Sequence, residues 1–149
     1  MDAPVPDIRT RLRTGLSGGL ATSWKLLKVM LPLYVAMDLL KGTAAFEAVG
    51  AAFAPAMGPF GLPGPAALAF VAAFFLNLYA AIAIIVPLHL TAWQVTQCGL
   101  MMGIAHNLVV EGAVLRSTGV RGGLLTLARI ATAAAAGLAF SGARLVWGA

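Results

Sequence analysis

Charge is what this chain has least of. Only 10% of its 149 residues are Asp, Glu, Lys or Arg, against 60% that are hydrophobic, whereas soluble domains carry roughly 25% charged residues. So few charges cannot cover a water-facing surface, and a mean hydropathy of +0.92 points to an integral membrane protein. Cysteine is nearly absent as well. Cys98 stands alone, which excludes an intrachain disulfide and carries no information on compartment. The sequence has no Walker A loop, no Gly-x-Ser-x-Gly elbow, no His-Glu-x-x-His and no paired acids beside a nucleophile, so no enzyme is expected. A cleavable signal is also missing. The opening MDAPVPDIRTRLR is acidic and Pro-containing, and the apolar run after it is too long and lacks a cleavage site, which predicts that the first span stays in the mature protein.

The apolar residues come in runs of membrane-spanning length, separated by Gly/Pro-rich breaks. At this length the chain has room for about four or five spans of roughly 20 residues each, in one compact bundle. The expected class is all-α and polytopic, with a re-entrant or broken segment. The net charge of +5 sits beside the apolar runs and is not interleaved with aromatics on one face, so it marks membrane flanks and not a nucleic-acid partner.

Residues 1–7 hold two prolines and two acids and read as a frayed end. In residues 8–21, Ile8, Leu12, Leu16 and Leu20 recur at fourfold spacing among Arg9, Arg11 and Arg13, which predicts either an amphipathic helix at the membrane surface or the end of the first span. That span is residues 24–40, anchored by Trp24, Lys25 and Lys28, kinked by Pro32, and closed by an i,i+3 pair of Asp38 with Lys41. Residues 46–64, broken by Pro55, Pro59 and Pro63, read as a short re-entrant or interfacial segment with Glu47 exposed near its start. Residues 65–86 form the second predicted span. Small residues at Ala66, Ala69, Ala73, Ala80 and Ala83 let other helices approach it closely, and Asn77 lies near its middle. The third span is 93–115 and the last is 124–147, which holds Arg129 in its first turns and Arg144 and Trp147 at its end. Snorkelling to the interface is the default for Arg129, and pairing with an acid is the alternative.

The stretch GIAHNLVVEGAVL at 103–115 places His106, Asn107 and Glu111 inside an apolar run. A carboxylate at that depth costs about 2.5 to 3.5 kcal/mol on translocon scales, so it faces protein, a cavity or a partner. At about 100° per residue, Gln94, Cys98, Met101, Met102 and Ala105 share one side of a continuous helix, His106 lies at its margin, and Asn107 and Glu111 take the opposite side. A break near Gly99 or Gly103 would let these groups share one site, as discontinuous helices do in transporters. The candidate site is His106, Glu111, Asn77 and Asn107, acting on a solute or ion path or, alternatively, locking helices or subunits together. Cys98, Met102 and His106 are candidate soft-metal ligands within about two turns of helix. No recognised ligand spacing accompanies them, so no metal or other cofactor is expected.

Three segments together carry a resemblance: TSWKLLKVMLPLYVAMDLL, then APAMGPFGLPGPAALAFVAAFFLNLYAAIAII, then LTAWQVTQCGLMMGIAHNLVVEGAVLRSTG. Across residues 15–140 the chain resembles the nucleoside-recognition or Gate domain found in the membrane part of ferrous iron transporter B and in spore maturation proteins A and B. The Pro-Gly-Leu-Pro break and the Ala-His-Asn-Leu-Val-Val-Glu segment carry it most directly. The resemblance implies a half-transporter in a bacterial cytoplasmic membrane, completed by a second copy and carrying a small solute or ion. It therefore implies a homodimer, and an antiparallel arrangement would agree with the orientation signal. Five basic residues at 9–28 argue for a cytoplasmic N-terminus, while four spans would put Arg116 and Arg121 on the other side. His106 and Glu111 carry over by the motif, with Asn77 as a partner. No GTPase domain accompanies them, so coupling to GTP on this chain is not implied. The alternative function is a membrane scaffold that transports nothing.

Overall fold

In the computed structural model the described residues are 7–117, 119 and 121–147. The stretch read as a frayed end therefore lies outside them up to residue 6, as does the side chain of Trp147. The described residues are helical and irregular only, so the fold class is all-α as expected.

Helix α1, Ile8–Leu40, is continuous over 33 residues, capped by the Asp7 carboxylate, which accepts from the Ile8 N–H at 2.8 Å. The predicted surface helix 8–21 and span 24–40 are thus one element, because nothing between them breaks the backbone ladder. At 1.5 Å per residue it is about 50 Å long, well beyond a hydrocarbon core of about 30 Å. Residues 8–21 therefore continue the helix of residues 24–40 without a break. Pro32 sits inside the helix, and the expected Asp38–Lys41 pair closes at 3.7 Å. Ile8, Leu12, Leu16 and Leu20 are all exposed, and Met37 is the buried residue of this helix.

Helix α2, Ala44–Met57, replaces most of the irregular segment predicted at 46–64. Thr43 caps it by accepting from the Phe46 N–H at 3.3 Å, so Ala, Phe and Val residues propagate a helix up to and past Pro55. Irregular backbone is confined to the 3₁₀ turn Gly58–Phe60 and the residues after it. Glu47 is exposed, as expected. Gly64 is needed where it stands: a Cβ there would fall onto the Gly50 carbonyl.

The single span predicted at 65–86 is corrected. Its residues form α3, Ala66–Phe75, and α4, Leu78–Ile85, which is extended by a 3₁₀ turn at Val86–Leu88. The two helices pack against each other. Two residues join them, so side-by-side packing makes them an antiparallel hairpin. At about 15 Å and 12 Å, neither arm crosses a bilayer alone. Leu76 leaves the helical region at φ −107°, ψ −90°, and Asn77 is extended. The alanine-rich faces make the fold-back close: Ala69, Ala73, Ala80 and Ala81 are wholly inaccessible.

Helix α5, Ala92–Ile104, opens with a capping box in which Thr91 accepts from the Gln94 N–H and the Gln94 side chain accepts from the Thr91 N–H. Helix α6, Leu108–Ser117, and helix α7, Gly122–Trp147, complete the chain. Helix α7 packs along both α5 and α6. The 58–64 turn is pinned to this pair: Gln94 Nε2 donates to the Gly61 carbonyl at 3.1 Å, Trp93 stacks on Phe140, and the Arg144 guanidinium lies 4.5 Å from the Trp93 ring. By length and composition three stretches could cross a membrane, Ile8–Leu40, Ala92–Arg116 and Gly122–Val146, the second of them interrupted between α5 and α6. The two interruptions raise the number of separate helices above the four or five expected.

Candidate functional site

The helix of the third predicted span does break, and the position is a correction. Helix α5 runs through Gly99 and Gly103 and stops at Ile104, so the break falls at residues 105–107. Neither glycine makes it: the turn is at Asn107, and side chains of His106 and Arg129 satisfy the carbonyls it frees. Asn107 takes the left-handed conformation at φ 50°, which Asn tolerates better than most residues. A helix that stops at membrane depth leaves its last carbonyls without partners and without water. Here each is answered. The Met101 carbonyl accepts from the Ala105 N–H at 3.0 Å. The His106 ring Nδ1 lies 3.1 Å from the Met102 carbonyl oxygen and 3.2 Å from that of Gly103. Both can only accept, so these contacts require the hydrogen on Nδ1 and leave Nε2 free of them. The Ile104 carbonyl accepts from Arg129 Nε at 2.9 Å.

Arg129 thus reaches from α7 to the end of α5, and its Nη1 also pairs with the Glu111 carboxylate on α6. This corrects the snorkelling default, for a reason of geometry: a planar fork can serve a carbonyl and a carboxylate at once, whereas the interface offers it only water. The pair is not sealed, since the side chains retain 26% and 42% of their accessible surface.

The second break meets the first. In an unbroken helix the Ala73 carbonyl would accept from the Asn77 N–H. That N–H turns to Ala72 instead, at 3.1 Å, and the freed Ala73 carbonyl accepts from the Asn107 N–H at 2.8 Å. Asn77 then restarts the chain as the cap of α4, its Oδ1 accepting from the Ala80 N–H at 2.9 Å. The tip of the α3–α4 hairpin is therefore hydrogen-bonded to the interruption between α5 and α6, and four helix ends converge there with alternating partial charge.

Of the sequence-derived candidates, His106 and Glu111 converge on the same helix end, His106 directly and Glu111 through Arg129. Asn107 supplies the joint, and Asn77 lies across it on the hairpin tip. Cys98 and Met102 are buried in the core, and His106 spends Nδ1 on backbone. Among the described residues no three His, Cys, Asp or Glu side chains gather to hold a metal. Gln97 was missed. It is wholly inaccessible, donates from Nε2 to the Gly137 carbonyl at 2.8 Å, and leaves Oε1 without a partner. Its spacing, four residues before Met101 on the apolar side of α5, was the available signal.

A family model described as nucleoside recognition (Gate) matches residues 23–147, which contain every residue of this site. An uncharacterized membrane protein of Bacillus subtilis (strain 168), YvoD, is 36% identical over 133 residues, covering 89% of this chain and 42% of its own length. The chain thus spans about two fifths of that relative. No solved structure matches. The likeness to a membrane protein, the apolar helices of spanning length and the family match agree, and this chain is a membrane protein that belongs to the nucleoside-recognition (Gate) domain family.

Proposed function

We propose that this chain is one half of a transporter-like unit in the bacterial cytoplasmic membrane, that two copies complete it, and that it conducts a small solute or ion without enzymatic chemistry. The observation that carries the reading is the meeting of the hairpin tip with the helix interruption through Asn107 and Ala73. Interrupted apolar helices at membrane depth turn backbone dipoles toward a common point, which is how transporters build a site for a solute or coupling ion. Glu111, Arg129 and the Nε2 of His106 then supply the exchangeable protons and charges. Two features support a second copy. The Glu111–Arg129 pair is partly uncovered where hydrocarbon cannot solvate it, and YvoD is more than twice as long as its matched segment, room for a second unit of this size.

The test is flux into proteoliposomes across a panel of nucleosides, metal ions and organic anions. The expected result is uptake of at least one class, lost in His106→Ala and Glu111→Ala variants that still fold. A second reading has its own support: Glu111 and Arg129 close within one chain, as a structural lock would. No flux for any solute, with an oligomer that falls apart in the same two variants, would establish the scaffold instead.

A further inference from the structure

A groove of about 620 Å³ lies between the end of α3 and the α6–α7 pair, reaching the helix breaks at Phe75 and Leu108. Two of its lining glycines bring α6 and α7 together. A Cβ on Gly122 would come within 2.6 Å of the Gly112 carbonyl, and one on Gly112 within 3.3 Å of Thr126 Oγ1, so α6 and α7 touch there almost backbone to backbone. Phe74, Phe75 and Ile130 belong to its apolar lining. Phe75 remains 63% exposed. Polarity changes along its length. Gly122 begins α7 just after the α6–α7 loop, and Ile130 lies eight residues further on, about 12 Å along the helix. At the loop end stands Arg116, in the last turn of α6, its stem laid across Gly122. It is the one charged residue among those lining the groove; Thr126, the other polar side chain, already donates to the Gly122 carbonyl at 3.0 Å. Glu111 faces a different groove with Arg129, so no carboxylate opposes an anion here.

We propose that this groove holds one anionic phospholipid, its headgroup phosphate on the Arg116 guanidinium and an acyl chain along Phe74, Phe75 and Ile130. A cation at the loop end of an apolar groove that runs about 12 Å along α7 matches the order of charge and hydrocarbon in a phospholipid, and basic pockets between membrane helices bind anionic headgroups. The inference stands apart from the transport reading, because lipid retention requires no flux.

The test reconstitutes the full chain in nanodiscs of phosphatidylcholine containing a minor share of phosphatidylglycerol and reads the retained lipid by native mass spectrometry. The wild type should retain phosphatidylglycerol over phosphatidylcholine by about fivefold, the worth of one well-placed basic residue. Arg116→Gln should abolish the preference and Arg116→Lys should keep it. Ala113→Trp, which fills the groove, should lose bound lipid of both kinds, and Arg9→Gln on α1 should change nothing. Equal retention of both lipids by the wild type, or an unchanged preference in Arg116→Gln, would overturn the proposal. So would displacement of the lipid by inorganic phosphate, which would mark a site for the free anion. Disulfide cross-linking of two copies through Ala113→Cys in a Cys98→Ser background would put a second copy in the groove and overturn it as well.

Discussion

Arg129 joins three helices with one side chain, and its two bonds separate its role from that of a simple charge. Replacing Glu111 by Ala leaves a guanidinium at membrane depth without its carboxylate. For a fully buried pair that costs about 3 to 5 kcal/mol, and for this partly uncovered one about 1 to 3 kcal/mol is expected. The double variant Glu111→Leu with Arg129→Met should recover much of the loss, because it removes both charges. Thermal unfolding in detergent checks both. If the double variant is as unstable as the single one, the bond of Arg129 to the Ile104 carbonyl matters more than the ion pair. Arg129→Lys should fall between them, since an ammonium cannot serve the carbonyl and the carboxylate in the same fork geometry.

At the scale of elements, the interruptions are made by two asparagines in different ways. Asn77 works through its side chain, as the cap of α4. Asn77→Ala should therefore cost about 1 kcal/mol and speed hydrogen exchange in the first turn of α4, while Asn77→Asp should keep the cap. Asn107 works through its backbone, at φ 50° and with its N–H on the Ala73 carbonyl. Asn107→Gly should be nearly neutral in the same exchange measurement, whereas Asn107→Val, β-branched and strained in that conformation, should loosen both the hairpin tip and the start of α6. If the two asparagines respond alike to substitution, this division of roles is wrong.

For the whole molecule the governing fact is how little of its apolar surface it covers. Helix α1 buries a single residue along its described length, and the core is concentrated in the alanine-rich hairpin and its contacts with α1 and α5. Close backbone approach holds that core together, so Gly64→Ala, which drives a Cβ into the Gly50 carbonyl, should sharply reduce the folded fraction recovered from membranes, as judged by size-exclusion profile. Orientation belongs to this scale too. With three stretches long enough to span and a hairpin whose arms do not cross, the N-terminal basic residues and Arg116 and Arg121 fall on one side, which removes the conflict expected from four spans, so reporter fusions at the C-terminus should report a single side of the membrane. Signal from both sides would show that these basic residues do not fix the orientation.

The sequence by itself determined the solvent, the fold class and most of the polar inventory. Apolar runs of spanning length, so few charges and the placement of His106, Asn107 and Glu111 within such a run follow from composition and spacing, which bilayer energetics constrain tightly. A break was one of the readings the spacing left open, because a continuous helix points those groups to two sides. Only the tertiary structure decided where the breaks fall and what satisfies them. Gly99 and Gly103 permit a break but do not require one. The chain opens at residues 105–107 because His106, Arg129 and Ala73, brought from α5 to α6, α7 and α3, answer the groups that opening exposes. Likewise Asn77 reads as a polar residue within one long span until two alanine faces pack closely enough to fold that span in half. In hydrocarbon a helix ends where partners for its freed carbonyls exist, and two of those partners, Arg129 for Ile104 and Asn107 for Ala73, lie far away in sequence.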